Sequence, residues 1–254
     1  MTRAEAIQQY IMHHVQDAQV WELAPFWRVS LPRPLTLHGL MLILALFLLV
    51  LAARLFYRKE DEIPHGFSNA LELFVQFIRD QVAIPYLGGD DGPRMTPLFC
   101  SFFFFILCLN LLGLVPTFGA ATGNVSVTAS LALVTLEFMI LGSMCRHGFL
   151  GFWKTMAPAG VPPLVLMLLV PIEFIGLFIK AFALTIRLFA NMLAGHIVIL
   201  ALLGLVVLLG WVALPAVLLA VAVYLFEVFI AFLQAYVFTL LSAIFIGQMY
   251  HPEH

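Results

Sequence analysis

The sequence predicts an all-α integral membrane protein with five transmembrane helices and an amphipathic surface helix, the last two spans forming a long, strongly tilted antiparallel hairpin. Three observations carry this. Of 254 residues, 63% are hydrophobic and only 10% charged, with mean hydropathy +1.05, whereas a soluble domain is about a quarter charged. The apolar residues fall in runs near or beyond the ~20 that cross a hydrocarbon core of ~30 Å. The last two runs are too long to stand upright: 172–209 would reach ~57 Å and 216–249 ~51 Å at ~1.5 Å per residue. Tilt absorbs such excess; the alternative is that each run breaks into a span and a surface piece.

Residues 1–34 form a polar and aromatic arm. Ile7, Tyr10, Ile11, Val15 and Ala18 recur at helical spacing, so 3–20 reads either as an amphipathic helix on a membrane surface or as a solvated arm. Trp21, Phe26 and Trp27 suit the headgroup region. Residues 35–254 read as a single membrane domain, with spans at about 35–57, 98–116, 127–145, 164–209 and 214–249. Over 66–84, Phe67, Leu71, Phe74 and Ile78 make one apolar face while Glu72, Arg79 and Asp80 lie elsewhere, the pattern of a surface helix. The stretch 86–97, with its GGDDGP, reads as a loop. So do 117–126, which is uncharged, and 146–163, which holds Arg146, His147 and Lys154. The hairpin turn is expected near 210–215. The first apolar run lacks a small-residue cleavage site, so no cleavable signal peptide is expected.

Composition also excludes functions. No basic cluster points to nucleic acid. Cys100, Cys108 and Cys145 fit no metal or disulfide spacing and read as small apolar residues; no metal or other cofactor is expected. No phosphate-binding glycine loop is present, so nucleotide chemistry belongs elsewhere and the chain is not itself read as an enzyme. With the N-terminus outside, the inner loops hold Arg54, Arg58, Lys59, Arg79, Arg94, Arg146 and Lys154 against Arg3, Arg28 and Arg33 on the other side. The positive-inside rule favours that orientation, with the C-terminus cytoplasmic.

The ionisable residues within the apolar runs after residue 120 are Glu137, Glu173, Lys180, Arg187, His196 and Glu227. An uncompensated Arg at membrane depth costs at least ~2.5–3.5 kcal/mol, so Arg187, mid-run, is the primary candidate. Glu173, Lys180 and Arg187 step by seven along one helix face, with Asn191 near it, while His196 is about half a turn out of phase. A turn centred near 211–212 sets His196 level with Glu227, able to share a proton or hydrogen bond, and Arg187 roughly level with Gln234. Histidine and carboxylate can relay protons. Arginine cannot, but it can hold an anion in lipid and keep two proton paths apart. Plainer readings stand beside these. Arg187 can pair with a neighbouring helix or snorkel, and Lys180 can pair with Glu137 or Glu173. Glu173 can be an entrance residue or only a dipole partner. Glu137 can be structural, and Asn110 can bond its own backbone or a neighbouring helix.

At 185–196, TIRLFANMLAGH, the sequence resembles the subunit a family of F-type rotary ATP synthases through the core R-L-F-x-N-M-x-A-G-[EH]. PLFCSFFFFILCLNLLGLVP, PIEFIGLFIKAFALTIRLF and FEVFIAFLQAYVFTLL are similar to further stretches of that family. The resemblance implies a proton-translocating stator subunit with two aqueous half-channels. Arg187 would face the carboxylates of a rotating c-ring, and Gln234 would support it. Asn191, His196 and Glu227 would line the half-channels, with Glu173 and Lys180 as polar positions earlier on the same helix. It implies a c-ring and peripheral-stalk b subunits as partners, one copy per complex, surrounding lipid, and an energy-transducing membrane, a bacterial inner membrane first and an organellar inner membrane as the alternative. His196 and Glu227 stand exchanged relative to some bacterial members, and Gly113 stands where some members carry an aspartate in the outer channel. The alternative is a self-contained secondary transporter, which usually shows internal repeats; none is evident here, and the Arg187 motif occurs once.

Overall fold

A computed structural model describes residues 20–24, 27–30, 32, 36–56, 67–115, 118–157, 161–209 and 214–252. The helix weighed for 3–20 lies outside them, except that Val20 opens a strand. An antiparallel hairpin, β1 (Val20–Ala24) and β2 (Trp27–Ser30), with Trp21 opposite Val29, precedes an otherwise helical chain. Valine and tryptophan favour extended backbone, and that local preference sets the arm apart from the rest.

The helices are α1 (Leu37–Phe56), α2 (Phe67–Ile78), α3 (Ile84–Leu114), α4 (Val125–Glu137), α5 (Ser143–Thr155), α6 (Pro163–Leu209) and α7 (Leu214–Tyr250). Five helical runs are long and apolar enough to cross a membrane. Caps follow from sequence. Thr36 Oγ1 accepts from the Gly39 N–H at 3.2 Å to open α1, and Asn124 Oδ1 accepts from the Ser126 N–H at 2.9 Å to open α4. Two π-helical turns, Arg79–Ala83 and Phe138–Gly142, join α2 to α3 and α4 to α5.

Two expected loops are corrected. The GGDDGP stretch is helical, interrupted only at Gly88 (φ 78°, ψ 175°) inside α3. That backbone conformation strains any residue with a Cβ. Pro93 lies five residues beyond that break, inside the resumed helix, and gives up one backbone hydrogen bond there. Likewise 146–155 continues α5 across Gly148 (φ 75°, ψ 170°). In both places glycine is spent on a one-residue break rather than a loop. α6 tolerates Pro171 and runs 47 residues, about 70 Å of helix, roughly twice a hydrocarbon core. An upright helix of that length would stand out of the bilayer; inclination absorbs the excess.

The chain packs as two compact units: 1–55, 104–127 and 187–235; and 56–103, 128–186 and 236–254. In the first, Met41 and Ala45 of α1, Leu109 of α3, Ala121 and Val127 form a core flanked by Leu37, Phe105, Leu112 and Phe118. In the second, Phe102 meets Phe238 edge to face, Thr135 and Ser242 hydroxyls bond at 2.9 Å, and the Ser143 hydroxyl donates to the Met249 carbonyl at 3.1 Å. Its C-terminal end is tied down by Asp91, which pairs with both Arg146 and His251.

α7 approaches α3 in this second unit only because residue 247 is glycine: a Cβ there would collide with the Tyr86 carbonyl. Backbone cannot swing aside as a side-chain tip can, so Gly247→Ala should cost about 1–3 kcal/mol. Gly176, with nothing near its Cβ position, should become neutral or more stable as alanine. Thermal unfolding of the detergent-solubilised variants checks both signs.

Candidate functional site

The first unit carries a narrow cleft in which four polar side chains stand among apolar ones. Its lining comes from Asn110 of α3, from Leu188, Asn191 and Met192 of α6, and from Glu227 and Gln234 of α7. The seven-residue step from Glu227 to Gln234 keeps both on one helix face, and both are buried, at 7% and 2% exposure. The Asn191 amide donates to Gln234 Oε1 at 2.7 Å. Asn110 Nδ2 donates to the Ala231 carbonyl at 3.4 Å, and Asn110 Oδ1 accepts from the Thr122 hydroxyl at 2.9 Å.

Glu227 is packed against Gly195, where any Cβ would run into its carboxylate. Glycine at 195 is therefore a requirement of the site, not only of helix contact. Both Glu227 oxygens, Gln234 Nε2 and His196 Nδ1 are buried without a hydrogen-bond partner among the described residues. The His196 ring lies beside the main chain of Gly113 and Met192. The expected direct His196–Glu227 hydrogen bond is thus not made. The carboxylate meets the α6 backbone one residue earlier, and the ring turns toward α3. At Gly113 the missing side chain admits the tip of Met192, so an acid at this position would need that methionine to move.

The sequence sets Gln234 level with Arg187 to within about one helical turn. Gln234 takes Asn191, one turn beyond Arg187. The reason is the buried stripe of α6: Ala181, Leu184, Thr185, Leu188 and Met192. Arg187 falls about a third of a turn away from that stripe at ~100° per residue, and its side chain is exposed. Among the described residues the guanidinium has no ion pair and no hydrogen bond. Ala183 four residues before it, Ala190 three after it and Ala194 seven after it are exposed too.

In the second unit, Lys180 Nζ donates to Gln248 Oε1 at 3.1 Å, lies 3.5 Å from Glu173 Oε1 and sits over the Phe245 ring. Glu137 is exposed at the end of α4. Sequence reasoning missed Gln248 and Thr122. Neither is ionisable, and only the fold shows that their polar atoms meet Lys180 and Asn110.

The arrangement is an exposed permanent cation on α6 and, about one to two turns further along, a buried carboxylate of α7 with amides beside it and no hydrogen-bond partner among the described residues. It can attract an external anion at one place and accept or release a proton at the other. Comparison with known proteins adds to this. The family model of the ATP synthase A chain matches residues 39–247. The chain is 41% identical to ATP synthase subunit a of Anaeromyxobacter dehalogenans (strain 2CP-C), over 96% of this chain and 70% of that one. It is 43% identical to that of Chloroherpeton thalassium, over 96% and 77%, and 45% identical to that of Myxococcus xanthus, over 87% and 76%.

The Asn191–Gln234 bond can be tested by stability alone. Asn191→Leu leaves the buried Gln234 amide with neither end bonded and should cost about 1–3 kcal/mol. Adding Gln234→Leu removes the orphaned group and should recover part of that loss. Melting temperatures of the two variants give the comparison; a double variant weaker than the single one contradicts it.

Proposed function

This chain belongs to the ATP synthase A chain family, and on that premise we propose that it is the stator subunit through which protons cross the membrane sector of a rotary ATP synthase. Arg187 carries the reading. A guanidinium in the middle of an apolar helix, exposed and without a partner among the described residues, costs at least ~2.5–3.5 kcal/mol unless an anion meets it. A ring of proteolipid carboxylates turning past α6 supplies that anion. The alanines at 183, 190 and 194 support the same reading, because small side chains let a second helix come close.

Protons reach the ring carboxylate and leave it through two offset aqueous half-channels. Glu227, Gln234, Asn191, Asn110 and His196 line one of these. Their unpartnered oxygens and nitrogens are the kind of buried groups that ordered water satisfies at a cost of about 0–2 kcal/mol, against about 1–3 kcal/mol for leaving a group bare. Glu173 and Lys180, at the opposite end of α6, belong to the other half-channel, with Glu137 in a supporting place. Arg187 stands between the two and, being permanently charged, passes no proton itself. Each proton crossing with the potential releases ~2.3 kcal/mol per 100 mV. The subunit holds no nucleotide. It acts in one copy with the c-ring and the peripheral-stalk b subunits in a bacterial inner membrane, N-terminus outside.

Replacing Arg187 with alanine should abolish ATP-driven proton pumping by the assembled complex in vesicles while leaving assembly intact. Lysine should rescue poorly, because a compact ammonium does not reproduce the planar fork. Normal pumping by an assembled Arg187→Ala complex refutes the reading.

A further inference from the structure

A buried histidine stands outside this account. His38, in the first turn of α1, is 3% exposed. It lies at the end of α1 opposite the basic Arg54, and its ring packs against Gly119, where a Cβ would sit 3.0 Å from Cδ2. Its Nδ1 is 3.1 Å from Asn124 Nδ2. Which end of the Asn124 amide faces the ring is settled independently: Oδ1 accepts the Ser126 N–H at 2.9 Å, so the NH2 group points at His38. An NH2 group only donates. Nδ1 is therefore the acceptor, and the neutral ring carries its proton on Nε2. A second proton on Nδ1 would set donor against donor and break the bond.

Asn124 is not an isolated partner. It follows the Ala121–Gly123 turn, and Thr122 in that turn holds Asn110, which lines the Glu227 cleft. All of these residues lie in the first unit. Between 104 and 127 the chain has no Asp, Glu, Lys, Arg or His. The other titratable or charged groups on the elements of this unit that the structure describes at the side chain are Arg54 on α1, Cys108 on α3, Arg187 and His196 on α6, and Tyr224 and Glu227 on α7; the Cys108 and Tyr224 groups are neutral at working pH. His38 is thus the titratable group on this polar row at the end remote from Arg54.

We propose that His38 is the entry proton acceptor of the half-channel that leads to Glu227, and that its protonation releases Asn124 and so loosens the turn carrying Thr122. This rests on the stator reading above. The imidazole takes a proton from water at Nδ1 and becomes a cation; loss of the Nε2 proton to water near Asn110 and Thr122 leaves the Nδ1–H ring, and proton exchange with water returns the hydrogen to Nε2 and the Nδ1 acceptor to Asn124. No bond other than N–H and O–H forms or breaks.

The test uses the whole ATP synthase in vesicles, with ATP synthesis driven by an imposed potential while the pH on the entry side is varied. His38→Asn keeps an acceptor for Asn124 but cannot carry a proton; it should slow synthesis about tenfold or more and flatten the pH profile. His38→Glu should restore much of the rate. Asn124→Asp still caps α4 but places a carboxylate beside the ring, and should move the profile's midpoint up by about one pH unit or more. Wild-type rate and profile in His38→Asn overturn the inference. Should that variant not assemble, an unmoved profile in Asn124→Asp overturns it instead. Arg187→Ala run alongside separates the two readings: retained coupling there sinks the stator account, whereas loss there with an indifferent His38 sinks only this one.

Discussion

A guanidinium keeps its charge at every working pH, and this chain holds one midway along a 47-residue apolar helix. That constraint organises what surrounds it. The buried stripe of α6 turns away from Arg187, its own neighbours supply no anion among the described residues, and the helix face around it is cleared by alanine. An internal ion pair would neutralise the cation and leave it inert. Without one, the protein is complete only against something that brings negative charge to that face.

The carboxylate of α7 that packs on Gly195 obeys the opposite rule. Glu227 is buried, pressed on Gly195, with both oxygens free of protein donors. A group that can change its charge tolerates such a place by holding or losing a proton; Arg187 has no such recourse. The two residues are therefore suited to different tasks, one to hold an anion and one to exchange a proton. The amides of Asn110, Asn191 and Gln234 line the space beside Glu227 without adding charge. About two turns of α6 keep the tasks apart: Gly195, where Glu227 packs, is eight residues beyond Arg187.

Much of this was legible in the sequence. Run lengths and the scarcity of charge define the five apolar helices, and the seven-residue spacing of Glu227 and Gln234 already sets them on one face. Counting from the hairpin turn sets Gln234 level with Arg187 to within about one turn; that its partner is Asn191 depends on Leu188 and Met192, not Arg187, taking the buried stripe, which counting cannot see. The GGDDGP stretch reads as a loop because glycine and proline are loop signals, yet one glycine, Gly88, absorbs the break and the helix resumes through Pro93. His38 and Thr122 left no signal in the sequence, since their polar partners lie on other segments and appear only once the chain is folded.

The most direct test of the central claim is disulfide trapping along α6 within the assembled complex. Cysteines at Ala183, Ala190 and Ala194, each paired with cysteines placed around the ring proteolipid's carboxylate, should form cross-links. A cysteine at Leu188, on the buried stripe, should form none. If Leu188 cross-links and the three alanine positions do not, Arg187 faces away from the rotor and the account is wrong.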